Sequence, residues 1–444
     1  MFNYPKDIKK LLELAWGRKG IVLPKITDLL PEDDILEELV EVAYHASFKT
    51  EEQRKIAFRI AFCSRENLGK ESDAIYEIRH MEFPTPIEYN ISELFRLAPA
   101  TDQRKVLIGV TKSDSSPTRS SGTKLKIWGL IDTGLGLWKF IRREGNKGFA
   151  SLSCLTISSD APGNLTVSLS GEVLVMLRHG ELYIPPLHSL RYGPLSEFFD
   201  KAKNQIYEDF LDTIVRRENG ILPLFSDPKE EYIKFLERLI FHIRDKLHGG
   251  TIVVISQDLS IDDLLKENKL SIKYRCEYDI VWNLIVQMAT LEFRGSEIFQ
   301  SMVGTKADLP NERYWESKSI EMDLRKTESY LYDAVLFLSS LASVDGALVI
   351  SDKLNVLGFG GEFRVHRQAI DAISFSEDAF GKKIHPRPFE TFGTRHRSAF
   401  RFCNEYANSV AFVISQDGDV KAIKKVDNNL VVWSDPNAGL VGAI

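Results

Sequence analysis

The chain has 444 residues, 43% hydrophobic and 27% charged, with 57 Lys and Arg against 63 Asp and Glu for a net charge of −6. That length exceeds the usual single domain, so two domains are expected. The acidic balance argues against a general nucleic-acid surface or an anionic-membrane binder, and no apolar run approaches a membrane span. Cys63, Cys154, Cys276 and Cys403 form no Cys-x-x-Cys pair. They read as reduced, buried thiols, and an N-terminus without the basic-then-apolar layout of a signal peptide points to a cytoplasmic protein.

Residues 6 to 16 and 32 to 46 carry apolar residues at helical spacing, the second run opening after Pro31. The period then changes to that of strands over Lys55 to Phe62, Val106 to Val110, Leu125 to Ile131, Ser151 to Ile157, Leu165 to Leu169 and Glu172 to Leu177, with one helix over Ile91 to Leu97. Ser113 to Gly122 has the composition of a loop tip. Residues 1–195 are thus expected as a β-rich N-terminal domain. Nothing in it forms a catalytic set. His80, His179 and His188 lack metal-ligand spacing, and Trp128, Trp138 and Phe140 suit core packing better than a ligand pocket.

Residues 196–444 are expected as a second domain, α/β in class within a chain that is α+β overall. Helical stripes cover 195 to 217 and 229 to 247, Gly249-Gly250 opens a strand over Thr251 to Ile255, and further helix covers 278 to 302 and 310 to 342. The acids Glu312, Glu316, Glu321, Asp323 and Glu328 read as a solvated helix face. Asp345-Gly346 falls between the end of that helix and a short apolar strand, Ala347 to Ile350. There it is an ordinary Asp-Gly turn or a carboxylate aimed along a strand edge. Val356 to Phe363 is glycine-rich, which suits a bulged strand or a backbone approached by a base or ribose.

Phe392-Gly393-Thr394-Arg395-His396-Arg397-Ser398-Ala399 precedes an apolar-periodic run and reads as a helix start with Thr394 as N-cap. Cations in a first turn oppose the helix dipole at a cost of about 0.3–1 kcal/mol each. A bound polyanion would offset that, since phosphate suits free amides and guanidinium forks alike. Residues 381 to 401 carry Lys382, Lys383, Arg387, Arg395, Arg397 and Arg401 against Glu390 alone, a local charge of 6 − 1 = +5. If Asp345 faces that helix start, a divalent-cation ligand stands beside a phosphate cradle.

Asp345-Gly346-Ala347 followed by Gly393-Thr394-Arg395-His396-Arg397-Ser398-Ala399 resembles the two signature motifs of the diadenylate cyclase domain (DAC, DisA N-terminal-like) superfamily. His248 to Ile255 is similar to the opening strand of that module, and Val410 to Gln416 to the strand after its Arg-His-Arg helix, so the resemblance covers residues 226 to 430. The β-rich front half, Leu357-Gly358-Phe359-Gly360 and Ser415-Gln416-Asp417-Gly418 are similar to the sensor-like DACNV branch.

The resemblance implies a mixed sheet flanked by helices and a dimer that joins two ATP molecules into cyclic di-AMP. It implies Asp345 as ligand of Mg²⁺ or Mn²⁺ and activator of the hydroxyl. Gly346 and Ala347 would border the ribose, and Gly393, Thr394, Arg395, His396, Arg397 and Ser398 would line the triphosphate. The alternative it leaves is a non-catalytic sensor of an adenine nucleotide or cyclic dinucleotide. Residues 366 to 390, between the motifs, are expected as an inserted loop and candidate lid.

Overall fold

The computed structural model describes residues 30–51, 54–66, 79–101, 106–113, 124–133, 154–169, 172–178, 180–184, 189–215, 227–303, 311–365 and 372–435, with 7–8, 11–12, 14–15, 68, 152 and 370. Residues 114–122 of the expected loop tip, Trp138, Phe140, His179 and His188 lie outside them. The described residues fall into two compact units, those up to 184 and those from 189 onward.

In the first unit, Ile35, Leu36, Leu39, Val40 and Ala43 form the buried stripe of helix α1 (Asp33–Ser47), whose Asp33 and Asp34 suit the positive end of its dipole. After it come strands β1 (Phe58–Phe62), β2 (Arg79–Glu88), helix α2 (Ile91–Leu97), then β3 (Val106–Lys112), β4 (Leu125–Asp132), β5 (Leu155–Ser159), β6 (Leu165–Leu169), β7 (Glu172–Arg178) and β8 (Glu181–Tyr183). They pair in the order β8-β7-β6-β5-β1-β3-β4-β2. The sheet is mixed because β1 runs parallel to β3 and antiparallel to β5. Alternation along β1 sends Phe58 and Ile60 into the core with α1, and Ala61 into a smaller cluster with Trp128 on the other side. Tyr89 is fully buried and donates to the Leu39 carbonyl at 2.7 Å, which ties α1 to the sheet.

The second unit runs α3 (Asp200–Val215), α4 (Pro228–Asp245), β9 (Gly250–Ile255), α5 (Ile261–Lys266), β10 (Leu270–Tyr278), α6 (Ile280–Val303), α7 (Asn311–Leu341), β11 (Ala347–Ser351), β12 (Val356–Phe363), β13 (Ala372–Ser376), β14 (Ile384–Pro388), α8 (Thr394–Glu405), β15 (Ser409–Ile414), β16 (Val420–Val426) and β17 (Asn429–Ser434). Its nine-stranded sheet has the order β10-β12-β11-β9-β15-β16-β17-β13-β14. β9 is parallel to β11 and antiparallel to β15, as the short apolar runs of these central strands suggest. One sheet face, with Ile252, Val254, Leu348, Ile350 and Phe412, is covered by α4, α6 and α7. The other, with Val253, Val349, Ala411, Val413 and Ile423, is covered by α8 and α5 through Phe400, Cys403, Phe402 and Leu264. The chain is therefore a mixed α/β protein with two mixed sheets.

Three expectations change here. Residues 372–376 and 384–388 are not a free lid: they form a hairpin that extends the sheet, with β13 running parallel to β17, so alternating apolar residues went to sheet pairing. Glu328 is buried where a solvated acid was expected, because α7 packs that side against α4 and α6. Buried thiols are expected throughout, yet only Cys63 and Cys403 are buried while Cys154 and Cys276 are half-buried, and none of the four is in a disulfide.

Both sheets protect an edge with proline. β14 is exposed along its length and carries Pro386 and Pro388 at alternate positions, which removes donors from one side of an edge strand. β2 carries Pro84 and Pro86 where its register with β4 shifts.

Candidate functional site

β11 begins immediately after Asp345-Gly346, and β9 immediately after Gly249. Because Thr251 pairs with Ala347 in parallel register, Gly249 and Asp345 each stand two residues before that pair, on neighbouring strands. Gly346 has φ 108°, and a Cβ there would lie 2.6 Å from the Gly360 carbonyl carbon and 2.9 Å from the Gly361 nitrogen. Only glycine lets the turn press this closely onto β12. Ala347 is buried beneath α8 with Val349. The Asp345 carboxylate is exposed, and it makes no hydrogen bond or ion pair among the described residues.

The helix start arrives at the same end of the sheet. A Cβ on Gly249 would lie 2.8 Å from Arg395 Nη1, 3.0 Å from the Ile414 oxygen and 3.2 Å from the Gln416 nitrogen. The guanidinium of Arg395 therefore lies across the first turn of backbone before β9, one strand from Asp345. No ion pair joins the two among the described residues, and Arg395 has no acidic partner there. An exposed cation and an exposed anion thus share one end of the central strands, with neither neutralised by the described residues.

The cap differs from the expectation. Gly393, not Thr394, is the N-cap, with φ −66° and ψ 165°, and no side chain closes the first amides. Thr394 starts the helix itself, since the chain enters helical geometry one residue earlier than its hydroxyl suggests. No acidic residue lies in the first turn. The space beside Gly393 is open, with nothing within 4 Å of a would-be Cβ. Neither its ordinary φ nor crowding by the chain requires a glycine at this position.

The basic cluster is largely used within the protein. Arg397 pairs with Glu390 at 2.7 Å. Arg387 and Arg401 lie over the rings of Phe375 and Phe389, 4.8 and 5.0 Å from the centroids. Ser398 donates to the Arg395 carbonyl at 2.9 Å inside the helix. At the helix start itself, what remains for an anion is Arg395, the uncapped amides and the Thr394 hydroxyl.

His396 is not a cation here. Its ring packs between Phe392 and Phe400, at 6.0 and 6.2 Å, and its Nε2 has no hydrogen-bond partner among the described residues. Burial, helped by Lys421 and Arg395 and opposed by Asp419, pushes its pKa down to about 4. The unfolded chain takes up a proton near pH 6.5 while the folded chain does not until about 4. The contribution of His396 to stability is thus complete above 6.5 and lost as the pH falls toward 4. Denaturant midpoints measured at pH 7 and pH 5 should fall more for the wild type than for His396→Gln. Equal falls would show that another group governs the acid limb.

Two neighbours of this strand end were not legible in the sequence. Thr251, 3% exposed, sits between Ala347 and Val413 with no hydrogen-bond partner for its Oγ1 among the described residues. Tyr274 of β10 stacks on Phe359 of β12 with centroids 4.8 Å apart, and Lys273 Nζ lies 5.3 Å from the Tyr274 centroid. A Cβ on Gly360 would be 3.5 Å from both Tyr274 Cδ2 and the Asp345 carbonyl oxygen, so the half-exposed aromatic pair borders the Asp345 turn. The glycine-rich pattern of β12 hinted at this approach, but Tyr274 belongs to a strand that only the fold brings alongside.

Among the described residues no three His, Cys, Asp or Glu side chains gather as a metal cage. A lone exposed carboxylate fits Mg²⁺ or Mn²⁺ that arrives on nucleotide phosphates and keeps most of its waters, rather than a resident ion. No helix among the described residues is long and apolar enough to cross a membrane.

Residues 25–132 match the family model described as "Probable sensor domain DACNV". That match falls in the first unit, on the β-rich front half that was one of the features similar to this branch, and does not extend to Leu357–Gly360, Ser415–Gly418 or the Asp345 and Arg395 motifs. No curated protein matches the chain.

Proposed function

We propose that this chain is a nucleotide signalling protein whose first unit senses and whose second unit holds an adenine nucleotide at the Asp345 and Arg395 end of its sheet, joining two ATP molecules into cyclic di-AMP. The supporting observation is the placement of two unneutralised opposite charges, Asp345 and Arg395, beside uncapped helix amides at one end of one sheet. A triphosphate suits the cationic side of that end, and the Tyr274 and Phe359 pair offers a face on which a base can stack.

In this reading each 3′-hydroxyl attacks the α-phosphorus of the other ATP, a P–O bond to pyrophosphate breaks, and two pyrophosphates leave. Such chemistry depends on positioning and charge neutralisation more than on a protein nucleophile. Arg395, the α8 amides and Thr394 hold the phosphates, and Asp345 orients the hydroxyl. Mg²⁺ or Mn²⁺ carried by the nucleotide would rest on Asp345 and supply neutralisation of the phosphates. One module holds one of the two reactants, so turnover needs two copies facing each other.

A second reading, binding without turnover, is favoured by the Arg397–Glu390 pair, which occupies one of the two guanidinium forks. Incubation of the purified chain with labelled ATP and Mn²⁺, followed by chromatography, separates the two. Cyclic di-AMP made by the wild type and lost in Asp345→Asn is the expected result. Micromolar nucleotide binding without product would favour the second reading, and neither binding nor product would end both.

A further inference from the structure

α7 packs Leu331, Ala334, Val335 and Leu338 into the core of its unit, yet the opposite side of the same helix is not the polar surface expected of it. Trp315 is 67% exposed, Met322 72%, Tyr330 50% and Phe337 48%. Their spacings of seven, eight and seven residues place all four within an arc of about 80° at about 100° per residue, along roughly 33 Å of helix. Large aromatic and methionine side chains recurring at every second turn along one exposed face mark an interaction surface.

The charges on that stripe select the occupant. Lys326 and Asp333 are exposed and lie on the same arc, between the apolar residues. The pair Lys326 and Asp333 shares a midpoint with the pair Met322 and Phe337, and that midpoint falls between Ser329 and Tyr330. A two-fold axis there sets Lys326 against Asp333 twice and Met322 against Phe337 twice, with Tyr330 at the centre beside the small Ser329. The Met322 to Phe337 part of the stripe is its own complement when reversed, which is what an isologous contact requires.

We infer that α7 is the seam of a homodimer, in which a second copy of this chain lays its own α7 antiparallel along the Met322 to Phe337 stretch of the stripe. The inference does not rest on the nucleotide reading. An antiparallel pairing sends the two Asp345 turns, which follow the α7 ends, to opposite ends of the seam. It is therefore a contact separate from any face-to-face meeting of nucleotide sites.

Sedimentation velocity on the full chain without nucleotide tests it. The wild type should sediment as a dimer at micromolar concentration. Lys326→Asp and Asp333→Lys should each raise the dimer Kd by about tenfold or more, and the double reversal should recover most of the loss. All of these positions are exposed, so the fold is expected to survive, and circular dichroism of each variant verifies that. A monomeric wild type overturns the inference, as does a dimer that single reversals leave intact or that the double reversal fails to restore. Because no nucleotide is added, an absence of ATP binding would leave this result standing.

Discussion

Arg395→Ala will weaken ATP binding by about 1.5–3 kcal/mol, or roughly ten- to 150-fold in Kd, the range for hydrogen bonds to charged groups. Arg397→Ala will cost less, because its guanidinium is already paired with Glu390 and must exchange one carboxylate for a phosphate. Adenosine binding should be unchanged in both, since it carries no phosphate. Gly393→Ala is the more searching variant. Its φ suits any residue and the space around it is open, so an alanine there should cost the fold about 0.5–1 kcal/mol, the ordinary disadvantage of alanine at an N-cap. If phosphate approaches the first amides, the added methyl should obstruct it, and ATP affinity should drop several-fold while the chain stays folded. Calorimetric titration of the three variants with ATP and adenosine decides. Equal losses for both ligands, or no loss with Gly393→Ala, would detach the helix start from phosphate recognition.

The sequence spoke clearly where the signal is local. The stripes of α1, α4 and α6, the short apolar runs of β9, β11 and β15, and the Asp345-Gly346 junction all follow from spacing and turn chemistry within a few residues. It also showed that the Arg395 turn carries cations against the dipole. It could not show which of those cations remain available. Arg387 and Arg401 settle on Phe375 and Phe389, and Arg397 on Glu390, through contacts that depend on the hairpin preceding α8. That hairpin was itself misread. Ala372 to Ser376 is a strand only because β17, more than fifty residues later, offers a parallel edge to pair with, and nonlocal pairing leaves little trace in a single strand's composition. His396 shows the same limit: a motif histidine reads as a phosphate ligand, whereas the rings of Phe392 and Phe400 enclose it and strip its charge.

Trp433→Ala will destabilise the second unit by about 3–5 kcal/mol, a large part of the 5–15 kcal/mol that holds an ordinary domain together. The indole is fully buried on β17, and its Nε1 donates to the Asp378 carbonyl at 3.0 Å in the connection between β13 and β14. The Asp378 carboxylate in turn accepts from the backbone amides of Phe380, Lys382 and Lys383, so one side chain holds the whole turn through its carbonyl and carboxylate partners. Trp433→Phe keeps most of the buried area and removes one of two hydrogen bonds to that carbonyl, which still accepts from Ser376 Oγ at 2.7 Å, so about 0.5–1.5 kcal/mol is expected. Denaturant unfolding of the full chain, analysed for the transition of the second unit, measures both. The hairpin leads through the buried Phe389 into Gly393 and the start of α8, so loosening its anchor should also loosen the seat of Arg395. Trp433→Phe is therefore expected to lower ATP affinity although the indole is not a phosphate ligand. A variant that loses stability but binds ATP as tightly as the wild type would show that the β9 backbone alone positions the guanidinium.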